Sequence, residues 1–193
     1  MIPAYNAERY VAQAVASVLA QSLPVAELVV VDDGSSDATA AEAHRAGGAA
    51  VRVLSGPNRG VSAARNRGLA EVSGELVCFL DADDRWDPTK LERQVGRFTD
   101  PEVVAVGCYM RYESPSGRVL GVAGQPVGEE QRARLRRATF MPAPFSGFVL
   151  RREAVVAAGA FDEALDRIPG QVEDLELLGR LAVGPKDVVL LPS

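Results

Sequence analysis

Lysine is nearly missing from this chain: two residues stand against nineteen arginines, a bias we ascribe to genome composition. Cysteine is scarce too. Cys78 and Cys108 each sit in an apolar run, without the CxxC or Cys/His spacing of a zinc site, so free buried thiols are expected. The single histidine, His44, lies in a polar helical stretch and reads as a surface side chain, which leaves little to build a Ser-His-Asp site from. An excess of positive charge is absent as well. The 26 acidic residues outnumber the 21 basic ones and the net charge is −5, which argues against a primary nucleic-acid binder. No apolar run reaches the ~18 residues of a membrane span, and the opening residues carry no signal-peptide pattern. Neither the GxxxxGK(S/T) phosphate loop nor the GxGxxG dinucleotide fingerprint occurs. What is present is ordinary globular composition, 47% hydrophobic and 24% charged over 193 residues, enough for one domain with a sizeable core.

The apolar pattern alternates between helix and strand. Val11, Ala14, Val15, Val18 and Leu19 mark an amphipathic helix over 7–20. Leu28–Val31 is a continuous apolar run bounded by turn residues, the signature of a strand buried on both faces; Val51–Leu54 is another strand candidate and Glu75–Leu80 a strong one. Helices are expected over 37–45, over 62–72 and from an Asp87-Pro88 start to about Phe98, with Asp87 as cap. This order predicts right-handed crossovers and a mainly parallel sheet with helices on both faces. Later the pattern loosens: a strand at 103–109, a Gly/Ser/Pro-rich hairpin or loop at 113–127, and a charged helix at 129–137. A strand at 145–150, a short helix at 152–158, a helix at 173–182 and a last strand at 188–191 complete the reading.

In an open parallel sheet, ligands bind beyond the carboxyl ends of the strands. Acids crowd those ends here: Asp32-Asp33-Gly34-Ser35 after one strand, Asp81-Ala82-Asp83-Asp84 after another. If residues 81–83 are extended, alternation places the Asp81 and Asp83 carboxylates on one side, a hard oxygen site suited to magnesium or manganese. A solvated acidic turn explains the same residues without a metal. Asp33 can accept from a ring N–H of a nucleobase and Tyr5 can stack on it, though a turn carboxylate and a core tyrosine are the plainer readings. Arg65 can face a base or a phosphate, or simply lie on a helix surface. Glu173-Asp174 opens a helix behind Pro169-Gly170. Those two acids either complement the helix dipole or supply a general base on a mobile loop, and the two readings pull against each other.

The segments PAYNAERY, LVVVDDGSSDAT, NRGVSAARNRGLAEVSGE, FLDADD and GAFDE followed by VEDLELLGRLA, taken in this order, resemble the family 2 glycosyltransferases. The likeness runs from residue 2 to about 184. It implies an α/β, GT-A-like (Rossmann-like) fold: a mainly parallel central sheet flanked by helices, with a small antiparallel or irregular acceptor-side region. It implies inverting transfer of a sugar from a nucleotide-sugar donor, most often a UDP-sugar, to an acceptor hydroxyl, with Mg2+ or Mn2+ as cofactor. By this likeness Pro3, Ala4 and Tyr5 line the base pocket, Asp33 pairs with the uracil N–H, Arg65 lies near the base and Asp81 near the ribose. Asp83 is the metal ligand, Asp174 the catalytic base with Glu173 beside it, and Ser146 and Gly147 lie under the donor sugar.

The resemblance further implies a glycan or lipid-linked acceptor in cell-surface polysaccharide or glycolipid assembly. That places the protein in the cytoplasm or at the inner face of the membrane, with room for peripheral membrane contact and no nucleic-acid partner. One domain over 1–193 is expected, with a nucleotide-binding half at 1–109 and an acceptor-side half at 110–193. The family's hydrophobic strand before PAYN is expected to be missing, and both ends to be cut short. Such a loss would make this an inactive nucleotide-binding module of the same fold, the competing reading. A nucleotidyltransferase would want a Gly-rich, basic phosphate loop where Pro3-Ala4-Tyr5-Asn6 stands.

Overall fold

The computed structural model describes residues 1–114, 116–138, 140–167, 172–182 and 187–191. Nine strands and seven α-helices are described, in the order β1(Ile2–Ala4), α1(Val11–Leu19), β2(Val29–Asp32), α2(Thr39–Gly47), β3(Arg52–Ser55), α3(Val61–Ala70), β4(Leu76–Val77), α4(Lys90–Val95), β5(Val103–Cys108), β6(Met110–Glu113), β7(Val119–Ala123), α5(Glu129–Arg136), β8(Val149–Arg151), α6(Arg152–Ala157), α7(Glu173–Leu181) and β9(Asp187–Leu191).

Strands β1, β2 and β3 form a parallel sheet, with Ile2 opposite Val30 and Val30 opposite Val53. A second sheet runs β4-β8-β5-β9. In it β8 is antiparallel to both β4 and β5, while β5 and β9 are parallel. Two backbone bonds stitch the sheets together: the Met1 nitrogen donates to the Cys78 carbonyl at 2.7 Å and the Leu80 N–H to the Met1 carbonyl at 3.0 Å.

The expected missing strand is therefore formed, as a three-residue β1. Proline is tolerated in it because its ladder partners lie on either side, at Met1 and at Ile2 and Ala4. The gap of unpaired groups that its loss would leave does not arise.

The apolar runs are explained by two cores, one on each face. Met1, Val29, Val31, Val77 and Phe79 point to one, which α3, α6 and α7 cover through Leu69, Val155, Leu177, Leu178 and Leu181. Ile2, Val30 and Leu80 point to the other, closed by Val11, Val15 and Val18 of α1 and Ala43 of α2. Because alternate residues feed opposite cores, every position in these strands must be apolar, and a polar/apolar alternation never appears.

The structure departs from the sequence reading in three further places. The strong strand expected at 75–80 pairs regularly only at Leu76–Val77 before the chain bends toward Met1. The helix expected from Asp87 begins at Lys90. Asp87 instead accepts from the Thr89 N–H and hydroxyl, closing a turn that the fixed φ of Pro88 favours. Residues 145–147 form a single 3₁₀ turn ahead of a shorter β8. The loop or hairpin at 113–127 is a hairpin, β6 with β7, and it exposes Tyr112, Val119, Leu120 and Val122. His44 is exposed, and both cysteines are free but only half-buried.

Candidate active site

The tips of β1 and β2 interlock. Asn6 adopts a left-handed φ of 48°, which turns its backbone N–H onto the Ser35 hydroxyl and its side-chain carbonyl onto the Ser36 N–H. The Ala7 N–H donates to Thr39 Oγ1 at 2.7 Å, the Glu8 N–H donates to the Asp37 carboxylate, and the Ala38 N–H donates to the Glu8 carboxylate across the same seam. Pro3 and Ala4 are buried inside β1, and Tyr5, 55% exposed, is the first side chain to emerge. A flat ring is thus presented on a rigid loop.

Asp33 stands beside it at the end of β2, 8% exposed. Its backbone N–H donates to Ala4, while its carboxylate accepts from the Arg59 and Gly60 N–H groups, each at 2.9 Å. Asp33 therefore organises the loop leading into α3. A carboxylate has about four acceptor positions, so a ring N–H can still be received.

Asp81–Asp84 do not run extended. The Asp84 N–H donates to the Asp81 carbonyl at 3.0 Å, making a turn, so strand alternation is not what sets the Asp81 and Asp83 side chains. Ser146, 1% exposed, pins that turn by accepting from the Asp81 N–H at 3.1 Å. The indole N–H of Trp86 holds the Ser146 carbonyl, and the side-chain amide of Gln94 holds the Gly147 carbonyl at 2.8 Å. A side chain at Gly147 would meet the Cys108 carbonyl at 2.9 Å. The 145–147 segment is thus a fixed floor beneath the acids.

Asp84, which the sequence reading left without a role, is half-buried. Burial pushes its carboxyl up against the hydrogen bond from Ser146, and the nearby Asp81 and Asp83 charges push the same way. Being the third acid in one run was its only signal.

Among the described residues no three acidic, histidine or cysteine side chains converge as a finished metal cage. The donor set nonetheless fits Mg2+ or Mn2+. The Asp83 carboxylate is exposed next to two more carboxylates, and such ions take one or two carboxylates and complete their shell with water and substrate phosphate.

Arg65 lies at the centre. It is 3% exposed, its Nη2 is 2.9 Å from Asp81 Oδ1 and its Nη1 is 2.5 Å from Glu173 Oε1. Burial opposes its charge, but Asp81 and Glu173 more than offset that and raise its pKa.

Asp174 follows Glu173 on the first turn of α7. Burial raises its carboxyl to about 6; Glu173 adds to the rise and Arg65 counters it. Desolvation and the neighbouring Glu173 charge thus raise Asp174 above the ordinary carboxylate range. The expected hinge at Pro169-Gly170 lies outside the described residues.

Arg65, Asp81, Glu173 and Asp174 thus form one electrostatic cluster, with Asp83, Asp84 and Ser146 adjoining it through the Asp81 turn. Asp33 joins through the backbone of Gly60 and α3 rather than by side-chain contact. Asp166, unnoticed in the sequence, accepts from the Ser62 N–H at 2.9 Å and from its hydroxyl, holding the start of α3. An apolar cavity of about 170 Å³, lined in part by Val18, Leu23, Leu28, Val72 and Leu76, contains none of these acids.

The model of the glycosyl transferase family 2 matches residues 1–157. An uncharacterized glycosyltransferase of Nostoc sp. is 33% identical over 177 residues, covering 87% of this chain and 55% of the relative. The UDP-Glc:alpha-D-GlcNAc-diphosphoundecaprenol beta-1,3-glucosyltransferase WfgD of Escherichia coli is 38% identical over 96 residues, covering 49% of this chain and 38% of WfgD. The mannosyltransferase PcManGT of Pyrobaculum calidifontis, solved with GDP-Man and Mn2+, superposes with a TM-score of 0.73 at 22% identity, over 99% of this chain and 53% of that one. The chain spans about half the length, or less, of the curated relatives it matches.

Proposed function

Because the chain belongs to glycosyl transferase family 2 and has its α/β fold, we propose that it transfers a sugar, with inversion, from a nucleotide-sugar donor to an acceptor hydroxyl. A UDP-sugar is the foremost donor. The observation that carries this reading is Asp174: a carboxyl raised to about 6, joined through Arg65 to the acids at the strand tips.

Each group has a role that follows from its setting. Tyr5 stacks on the base and Asp33, preoriented by the Arg59 and Gly60 amides, accepts its ring N–H. Asp81 faces the ribose, and the floor at Ser146 and Gly147 supports the donor sugar. Asp83, with Asp81 and Asp84 beside it, would hold Mg2+ or Mn2+, which when bound supplies positive charge to the leaving diphosphate. Asp174 takes the acceptor proton as the acceptor oxygen attacks the anomeric carbon opposite the leaving group. That transfer is worth roughly 10²–10⁴-fold. Glu173 keeps Asp174 basic by its charge and lies where the acceptor arrives.

WfgD's name describes a lipid-diphosphate acceptor in which undecaprenol carries the sugar. We extend that class to this chain: a cell-surface glycan or lipid-linked acceptor, met at the cytoplasmic face of the membrane. Among the described residues no helix is long and apolar enough to cross a membrane, so contact there would be peripheral.

A thermal-shift screen of UDP-, GDP- and dTDP-sugars with manganese, followed by transfer assays on the parent and Asp174→Asn, tests the reading. Stabilisation by one sugar nucleotide, with turnover lost in the variant but binding kept, is expected. Nucleotide binding without donor turnover in the parent would favour the inactive-module reading, and no nucleotide binding at all would overturn both.

A further inference from the structure

The Arg65 guanidinium is buried against two rings and paired with two acids. Its carbon sits 5.4 Å from the Phe145 ring centroid and 5.3 Å from that of Phe161. Its two terminal nitrogens are committed to Asp81 and Glu173. Its Nε is buried and meets no acceptor among the described residues. A side chain recruited to touch a bound base would not be 3% exposed with its fork already divided between two acids.

The two acids belong to different parts of the fold. Asp81 follows the β4 segment, and Glu173 opens α7, whose N-terminus has no side-chain cap. Among the described residues, the first turn of α7 reaches out of its own helix through one hydrogen bond, from Arg65 to Glu173. The far end of the helix is held differently, by Arg180 donating to the Ala158 and Ala160 carbonyls. Arg65 is itself fixed, because Asp33 holds the amide of Gly60 and Asp166 holds Ser62 at the start of α3. A continuous load path therefore runs from Asp33 through α3 and Arg65 to the turn bearing Asp174.

We propose that Arg65 is a positioning residue, a buried strut that fixes the start of α7 against the Asp81 turn and so sets the separation between the donor acids and Asp174. The strut deepens the sugar-transfer reading and rests on it for what Asp174 does. It departs from the expectation that Arg65 lies near the base. A guanidinium is needed because a planar fork reaches two carboxylates while packing against the Phe145 and Phe161 rings.

The test uses the whole chain and the variants Arg65→Gln, Arg65→Lys and Glu173→Gln. Hydrogen exchange is measured at amides 173–178, UDP affinity by calorimetry with Mn2+, and turnover with the sugar nucleotide selected by the screen above. For Arg65→Gln, exchange in that turn should quicken tenfold or more. UDP affinity should stay within about threefold, while turnover falls about 10²-fold, the scale of a 1 Å misplacement. Arg65→Lys should recover part of the turnover. Glu173→Gln should reproduce the faster exchange, which keeps the idea testable if Arg65→Gln does not fold. Unchanged exchange in both Gln variants, or a tenfold loss of UDP affinity in Arg65→Gln with α7 undisturbed, overturns the strut. If the parent binds no nucleotide, sugar transfer fails as a reading, and the exchange measurements still decide whether the strut exists.

Discussion

Two aspartates, Asp33 at the end of β2 and Asp174 on the first turn of α7, have been treated in opposite ways by the fold. Asp33 is nearly buried, yet backbone amides of Arg59 and Gly60 meet both of its oxygens. Asp174 is half-buried beside a second carboxylate and, among the described residues, receives only the N–H of its own neighbour, Leu175. One acid has been satisfied and serves as a fixed surface. The other is left short of partners, and its proton is held up to about 6 as a result. A site that recognises wants the first arrangement; a site that moves a proton wants the second.

The sharpest way to break this contrast is Asp174→Asn. Turnover should fall roughly 10²–10⁴-fold with UDP affinity unchanged, in a steady-state assay paired with calorimetry. Asp83→Ala should next remove manganese-dependent UDP binding by about tenfold or more while leaving the metal-independent part. Manganese-dependent UDP binding in this variant equal to the parent's would contradict its assignment.

Third, Gly60→Ala should destabilise the fold by about 2 kcal/mol or more. Gly60 has a φ of 100°, and an added Cβ would lie 2.2 Å from an Asp166 carboxylate oxygen. Chemical denaturation reads this directly. Asp33→Ala, leaving two amides without their acceptor, should cost about 1–3 kcal/mol and weaken UDP as well.

The last prediction is a matter of pH. The folded-state pKa of Asp174 lies above its unfolded value, so between about pH 4 and pH 6 the folded chain binds more protons. Its contribution to stability therefore falls as pH rises through that window and stays low above it. Asp174→Asn should melt a few degrees higher than the parent at pH 7 and no higher at pH 4, by calorimetric scans at the two pH values. The parent's kcat/KM should rise with pH through about 6, because the base acts only when deprotonated.

The contrast between the two aspartates also governs what the sequence reveals. The β1-β2-β3 side is legible because strands such as Val29–Asp32 feed both cores and must be apolar up to their last residue, and their ends are marked by acids and glycine. β1 was overlooked because three residues are too few to display a period, and its existence depends on pairing with residues 78–80. The sequence leaves the Asp81–Asp84 geometry open between strand end and turn for another reason. A turn and a strand end share the same residues, and only the Ser146 hydroxyl, far along the chain, selects the turn. The raised carboxyl of Asp174 is likewise invisible in the sequence, since it depends on how α7 packs in the fold and on the Glu173 charge beside it. Arg65 shows the limit most clearly. Its exposed or buried fate rests on Phe145, Phe161 and Glu173, which no local pattern connects to it.

The segment after α6 is buttoned to α3 by Asn66, which gives its amide to the Phe161 carbonyl and receives the Phe161 N–H, each at 2.9 Å. Those partners are separated by 95 residues, and the neighbouring Ser62–Asp166 pair by 104. Closing so large a loop is entropically slow, and local contacts form before distant ones. During refolding, the β1-β2-β3 sheet with its helices should therefore gain its shape early, and the segment from Phe161 to Asp166 should button onto α3 afterwards.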